Sequence, residues 1–248
     1  MSYDEKQKAQ PKKAKINKSS NKAELIDWYA KIPKKYLTKS HNPNFKIHGI
    51  QIPFRMLIIG GSGSGKTQTF LSILHNFTGT FQNIHLITKN KDEPLYNYLS
   101  DELGEKGFEI HEGIKSAPDV DSFKKEEQTL IVFDDLVLEK NQALIEDYFI
   151  RARKLNCCVI YLSQSYYAVP LMIRRNISYL IIKRLQSLKD LYGILREYSL
   201  GVDKKILKKI YDDSTKTKQD FLMVDMEADA ENRFRKNFND IFELDIIE

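Results

Sequence analysis

From about residue 45 onward, short apolar runs alternate with longer mixed segments. The runs fall at 54–59, 84–88, 108–111, 130–133, 157–162 and 177–182. Several are β-branched and continuous rather than alternating, as expected of strands covered on both faces of a parallel sheet. The segments between them at 67–76, 93–103, 139–153 and 188–198 are helix-compatible. Strand–helix alternation of this kind predicts a three-layer α/β fold, a mostly parallel sheet with helices on both faces. After Gly201 the pattern predicts a Lys-rich helix to about Asp213, a strand at 221–225 and an acidic end, with no internal repeat.

The first 44 residues read differently. Residues 1–22 are Lys, Gln, Ala, Ser and Asn with almost no large apolar group, the composition of a mobile arm. Residues 23–44 are read as a short helix and a polar connector. The helix is predicted from Asn21, with Glu24 as capping partner, Leu25, Ile26, Trp28 and Tyr29 as its apolar side, and Pro33 as its end. The compact domain is expected over 45–248, with a helical and strand extension from about 200.

Composition narrows the class. Of 248 residues, 42% are hydrophobic and 29% charged, which excludes a largely disordered, collagen-like or polytopic membrane chain. No segment approaches the length of apolar sequence that spans a bilayer, and the Lys-rich start lacks a secretory h-region, so no membrane association and an intracellular setting are expected. The net charge of +5 resides wholly in residues 1–22, where seven lysines face Asp4 and Glu5. An argument from basicity to nucleic acid therefore concerns the arm and not the neutral body. Cys157 and Cys158 are adjacent on a predicted strand, so they point to opposite faces and do not suit a disulfide; no histidines lie near them at zinc-ligand spacing.

The chemistry begins at Gly60, Gly61, Ser62, Gly63, Ser64, Gly65, Lys66 and Thr67, which satisfy G-x-x-x-x-G-K-[ST] between a predicted strand and a predicted helix. Glycines let backbone N–H groups turn inward around the β- and γ-phosphates of ATP, and the helix start presents its positive end to the same anion. Lys66 supplies a point charge on the phosphoryl oxygens, and the Thr67 hydroxyl is suited to Mg²⁺. The bland alternative is a glycine-rich turn before a helix.

A second apolar strand ends in Asp134 and Asp135, 67 residues after Thr67. At the carboxyl edge of a parallel sheet, Asp134 would hold Mg²⁺ and Asp135 would orient or deprotonate an attacking water, although Glu is the usual residue there and Asp is one methylene shorter. The run 157–162 ends in Ser163-Gln164-Ser165. A Gln at the tip of a strand lying between the other two motifs can bond both the water and the γ-phosphate; alternatively it is a polar residue leaving a strand. Arg151 and Arg153, with Lys154, precede that strand, and Arg174-Arg175 follow the loop beyond it. Any of these arginines could act on a neighbouring subunit's γ-phosphate, or simply solvate a basic helix end.

Taken in order, the phosphate loop, 130–135, 151–154, 159–164 and 170–182 resemble the genome-packaging ATPases of large DNA viruses and virophages, of the FtsK/HerA type of P-loop ATPases. The most telling stretch is 149–184, FIRARKLNCCVIYLSQSYYAVPLMIRRNISYLIIKR. The resemblance covers about residues 50–185. It implies a RecA-like sheet with an extra strand between the two nucleotide motifs, in accord with the runs near 86 and 109. It also implies Mg²⁺-ATP hydrolysis driving double-stranded DNA into a preformed capsid through a homo-oligomeric ring of five or six subunits. A virus-factory or virion setting and capsid partners follow from the same resemblance. The basic segment reads Arg-Ala-Arg-Lys where relatives often have Gly and His, and no membrane anchor, winged-helix module or N-terminal barrel is evident.

A motor that moves any sequence should grip phosphates without reading bases. Candidate grips are Tyr166-Tyr167 through Arg174-Arg175, and Lys204, Lys205, Lys208 and Lys209 at helical spacing. Each has a plainer reading, as packing or as a solvated helix face. The arm could meet DNA, an acidic capsid surface or nothing. Rival functions are a nucleotide or nucleoside kinase, against which Gln164 and the paired carboxylates argue, and a slow ATP-dependent switch.

Overall fold

The computed structural model describes residues 23–37, 39–104 and 107–243; the basic arm of residues 1–22 lies outside them. The chain divides at Leu37 into two units. Within the first, helix α1 spans only Trp28–Lys31, because the Asp27 side chain accepts from Ala30 N at 3.0 Å and so starts the helix there. Pro33 holds Ile32 extended and ends it. The predicted helix start at Asn21 lies outside the described residues, and Glu24, Leu25 and Ile26 are not helical.

The second unit opens with α2 (Phe45–His48), then β1 (Arg55–Ile59), α3 (Lys66–Asn76), β2 (Asn83–Thr88), α4 (Pro94–Leu103), β3 (Phe108–Glu112) and β4 (Thr129–Asp134). It continues through α5 (Gln142–Arg151), β5 (Cys157–Ser163), α6 (Leu171–Asn176), β6 (Tyr179–Ile182), α7 (Leu188–Glu197), α8 (Lys204–Ser214), β7 (Leu222–Asp225), β8 (Phe234–Lys236) and β9 (Asp240–Ile241). All six predicted apolar runs are strands.

The nine strands form one sheet in the order β3-β2-β4-β5-β1-β6-β7-β8-β9. β3 through β6 are mutually parallel, and β7, β8 and β9 add antiparallel pairings at one edge. The strand standing between the two nucleotide motifs in space is β5, paired with β1 on one side and β4 on the other. The runs near 86 and 109, which fall between the motifs in sequence, instead form β2 and β3 beyond β4.

Both faces of the sheet are dry along β1, β4, β5 and β6, which explains their continuous apolar runs. Leu57, Ile59, Val159 and Tyr161 face a core completed by α5, α6, α7 and α8. Met56, Ile58, Ile160 and Leu162 face the other, completed by α3 and α4. Cys157 and Cys158 divide between the two faces as free thiols, each pushed up by burial, Cys157 to about 12. Each fully buried Leu, Ile or Val contributes roughly 1.5–3 kcal/mol, so the two cores dominate what holds the layers together. At the antiparallel edge, the buried Arg235 guanidinium pairs with Asp225 and donates to Gly49 O at 3.1 Å, tying the last hairpin to the chain entering β1.

Candidate active site

The sheet register brings the sequence motifs to one edge. Ile59 is level with Ser163, and Asp134 with Leu162. Backbone bonds then run across the strand exits, Gly60 N to Ser163 O at 3.2 Å and Asp135 N to Leu162 O at 3.2 Å. The phosphate loop, the paired carboxylates and Gln164 are thus neighbours because β5 separates their two parent strands.

Gly60 through Gly65 form the loop between β1 and α3, and Lys66 and Thr67 open the helix. Gly65 sits at φ +87°, and a Cβ there would lie 2.9 Å from Lys218 O, so a side chain is excluded by conformation and by space. A Cβ at Gly60 would lie 2.4 Å from Ser64 Oγ and 2.6 Å from Lys183 Cβ. Lys66 Nζ donates to Gly60 O at 3.0 Å and Gly61 O at 3.2 Å. Burial lowers its ammonium from the ordinary lysine value, while Asp134, Asp135 and Glu93 pull it back up.

Asp134 ends β4 and is buried. Burial pushes its carboxyl up to about 6, against the hydrogen bond from the Tyr96 hydroxyl, which donates to Oδ2 at 2.6 Å. Tyr96 itself is fully buried on α4, its phenol raised above the usual tyrosine value by burial and by Asp134, with the Thr67 hydroxyl also in hydrogen-bonding reach. Asp135 is exposed at φ +53°, a left-handed conformation that Asp tolerates better than most residues. Its Oδ2 accepts from Gln164 Nε2 at 3.1 Å.

Three contributors escaped the sequence reading. Tyr96 and Glu93 come from the start of α4, and Lys183 from the exit of β6. Lys183, although only 1% exposed, donates through Nζ to Lys218 O, Gln219 O and Asp220 O at 2.7, 3.1 and 3.0 Å. Burial lowers its ammonium to about 8. It thereby holds residues 218–220 against the phosphate loop. A lysine ending an otherwise apolar strand was the available signal. Alongside lies a cavity of about 550 Å³ lined by Ser62, Gly63, Ser64, Gln186 and Lys216, among others.

The residues fit a Mg²⁺-nucleotide. Ser64 Oγ is buried with no hydrogen-bond partner among the described residues, an unmet polar atom inside the cradle. The start of α3 has no side-chain cap, so its amides face the loop. Thr67 and Asp134 supply hard oxygen donors of the kind Mg²⁺ takes.

Other candidates lie elsewhere. Arg151 pairs with Asp121 and with Asp147 at 3.8 Å, and Arg153 is exposed on the turn that follows; both sit at the entry end of β5, opposite the exit end that carries Gln164. Within one chain they do not meet the phosphate loop. Arg174 lies over the Tyr166 ring at 4.6 Å and bonds Glu197 at 2.9 Å and Val169 O at 3.1 Å. With Tyr166 fully buried, that pair is packing, and of the two tyrosines and two arginines only Tyr167 and Arg175 are exposed. Lys208 pairs with Asp212 at 2.5 Å and Lys204 lies over Tyr192 at 4.1 Å, while Lys205 and Lys209 are exposed.

A parallel sheet with one strand inserted between the phosphate-loop strand and the acidic strand, carrying these side chains at one edge, defines a P-loop NTPase of the RecA-like kind. Residues 44–237 match the family model described as Poxvirus A32 protein, and the chain belongs to that family. The DNA packaging protein OPG160 of variola virus is 31% identical over 176 residues, covering 65% of this chain and 64% of that protein. Its monkeypox virus counterpart has the same identity over 58% of its length. The chain thus matches less than two thirds of the length of these relatives. Among solved structures, the genome packaging NTPase B204 of Sulfolobus turreted icosahedral virus 2 in complex with AMPPCP superposes with a TM-score of 0.52 at 13% identity, covering 75% of this chain and 98% of that one. The DNA-packaging ATPase B204 of Sulfolobus turreted icosahedral virus gives 0.51 at 16% identity, covering 80% and 99%. Among the described residues, no helix is long and apolar enough to cross a membrane.

Proposed function

We propose that the chain hydrolyses ATP with Mg²⁺ and uses the energy to drive double-stranded DNA into a viral capsid as a homo-oligomeric ring. The observation that carries this reading is the Gln164–Asp135 contact at 3.1 Å, made beside the phosphate loop because β5 lies between β1 and β4. A carboxylate and an amide so placed can fix one water between them. Asp135 accepts its proton, and Gln164 orients it toward the γ-phosphate. Lys66 and the amides at the start of α3 bind the phosphates, and Ser64 Oγ supplies a further donor. Mg²⁺, held by Thr67 and Asp134, would neutralise charge on the phosphoryl oxygens. Arg151 or Arg153, remote from its own chain's loop, is a candidate to reach a neighbour's.

Membership of a family whose poxvirus relatives are DNA packaging proteins supports DNA as the substrate and a capsid-associated setting. The neutral body restricts DNA grip to local features: Tyr167 with Arg175, Lys205 with Lys209, and the basic arm. The test is to measure ATPase rate and mass in solution, each with and without an ATP analogue and duplex DNA. The expectation is a DNA-stimulated rate and a ring of five or six subunits, with Lys66→Ala and Asp134→Ala both inactive and deletion of residues 1–22 sparing the basal rate. A protein indifferent to duplex DNA overturns the translocase reading, and a monomer that phosphorylates a small acceptor establishes the kinase instead.

A further inference from the structure

Far along the sheet from the phosphate loop, its outermost strand carries an arrangement the ATPase reading does not use. Glu109 on β3 is the register partner of His85 on β2, and His111 follows Glu109 by two residues. Shared parity puts all three side chains on the same face. His85 Nδ1 lies 3.1 Å from His111 Nε2, and Glu109 Oε2 lies 3.4 Å from each of those nitrogens. Among the described residues this is the one group of three or more metal-ligating side chains with its donor atoms so close together.

The triangle has a specific size. Four ligands placed tetrahedrally at zinc–nitrogen and zinc–oxygen distances of about 2.0–2.1 Å are separated by about 3.3–3.4 Å along each edge. The observed edges of 3.1, 3.4 and 3.4 Å are one face of such a tetrahedron. Ordinary hydrogen bonding explains them less well. The 3.1 Å imidazole pair is also within hydrogen-bonding range, but the carboxylate oxygen is beyond the usual 2.7–3.2 Å from both imidazoles.

We propose that His85, Glu109 and His111 bind a divalent transition metal, Zn²⁺ foremost, with water as the fourth ligand, clamping the edge strand β3 to β2. Two imidazoles and one carboxylate suit zinc, iron, copper or nickel and not magnesium, so this site and the phosphate-loop site select different ions. His85 is packed by Phe123 at 5.5 Å between ring centroids, which holds the ring in place. The side chains of His85 and His111 are 13% and 17% exposed and that of Glu109 60%, which leaves a solvent path for the ion.

The experiment titrates the chelator-stripped full chain with Co²⁺, then Zn²⁺. It follows the ligand-field spectrum, ion content after dialysis, the imidazole nitrogen chemical shifts of the unmodified protein and the thermal midpoint. One equivalent of four-coordinate Co²⁺ displaced by Zn²⁺ is expected, with perturbed shifts confined to two histidines and a midpoint that rises with zinc. His85→Ala and His111→Ala should each weaken binding by about 100-fold or more and Glu109→Gln by about 10-fold, while unfolding like the metal-free parent. Asp134→Asn should retain the equivalent, which separates this site from the nucleotide site. Binding that survives both histidine substitutions, or is lost in Asp134→Asn, overturns the proposal. So does the absence of a stoichiometric ion in the unmodified protein.

Discussion

The Tyr96 hydroxyl donates to Asp134 Oδ2 at 2.6 Å, so a phenol from the helix after β2 supports the carboxylate that ends β4. Tyr96 is fully buried, and this is the charge-assisted kind of hydrogen bond. Because it favours the ionised carboxylate, Tyr96→Phe should raise the Asp134 pKa above its present value of about 6. The acid limb of the ATPase pH profile should move to higher pH, and Mg²⁺ affinity should fall by about 10-fold. Titrating Mg²⁺ at several pH values checks both, and a limb that stays in place excludes the coupling.

Asp134 also makes the site a stability cost. Its carboxyl titrates near 6 when folded against 3.8 for the ordinary group. Between those pH values the native state holds more protons than the unfolded chain, so stability falls as pH rises through that window and stays reduced above it. The shift corresponds to roughly 3 kcal/mol. Asp134→Asn keeps the shape and removes the charge. Without metal at neutral pH it should unfold at higher denaturant concentration than the parent, lack this falloff between pH 4 and 6, and be inactive. A variant no more stable than the parent at neutral pH contradicts the desolvation argument.

The Gln164–Asp135 contact predicts coupled losses. Asp135→Asn should lower kcat by about 10²–10⁴-fold with little change in nucleotide affinity, since the residue is exposed and touches no loop amide. Gln164→Ala should act on the same step, so the double variant loses much less than the product of the two single losses. Single-turnover hydrolysis with separate nucleotide-binding measurements resolves this, and fully multiplicative losses would mean the two side chains serve different steps.

How much of this was legible in the sequence follows from chain distance. β1, β4, β5 and β6 were readable because burial on both faces demands continuous apolar runs, as in Leu130–Phe133, whereas β3, at the edge, is buried only at Phe108. β8 and β9 were not, since Phe234–Lys236 and Asp240–Ile241 are too short and too charged to show a period. Helix α6 was missed for a similar reason: six residues carry no repeat. The phosphate loop, Asp134 and Gln164 were legible because each belongs to a local pattern of apolar strand followed by polar tip. Tyr96, Glu93 and Lys183 were not, because only the strand order brings them to the loop. Nor could the sequence show that the Arg174 guanidinium is engaged within its own chain, over Tyr166 and against Glu197.

Lys183 supplies the last prediction. Its ammonium is the shared donor for the carbonyls of Lys218, Gln219 and Asp220, and Lys218 O is close enough to Gly65 to exclude a Cβ there. Lys183→Met keeps the length and packing of the stem and removes the donor. The carbonyls then turn to water, and residues 218–220 lose their anchor against the phosphate loop. Stability should fall by about 1.5–3 kcal/mol, the net worth of hydrogen bonding from a charged donor. Nucleotide KM should rise several-fold while kcat holds within about twofold, because the substitution disturbs the wall of the cradle and not the water-activating pair. Lys66→Met, by contrast, leaves residues 218–220 anchored and removes the charge that binds the phosphates, so turnover should be lost. Denaturant unfolding and steady-state ATPase on the two variants together separate an anchoring lysine from a phosphate-binding one, and equal stability of Lys183→Met and the parent would remove the anchor from the account.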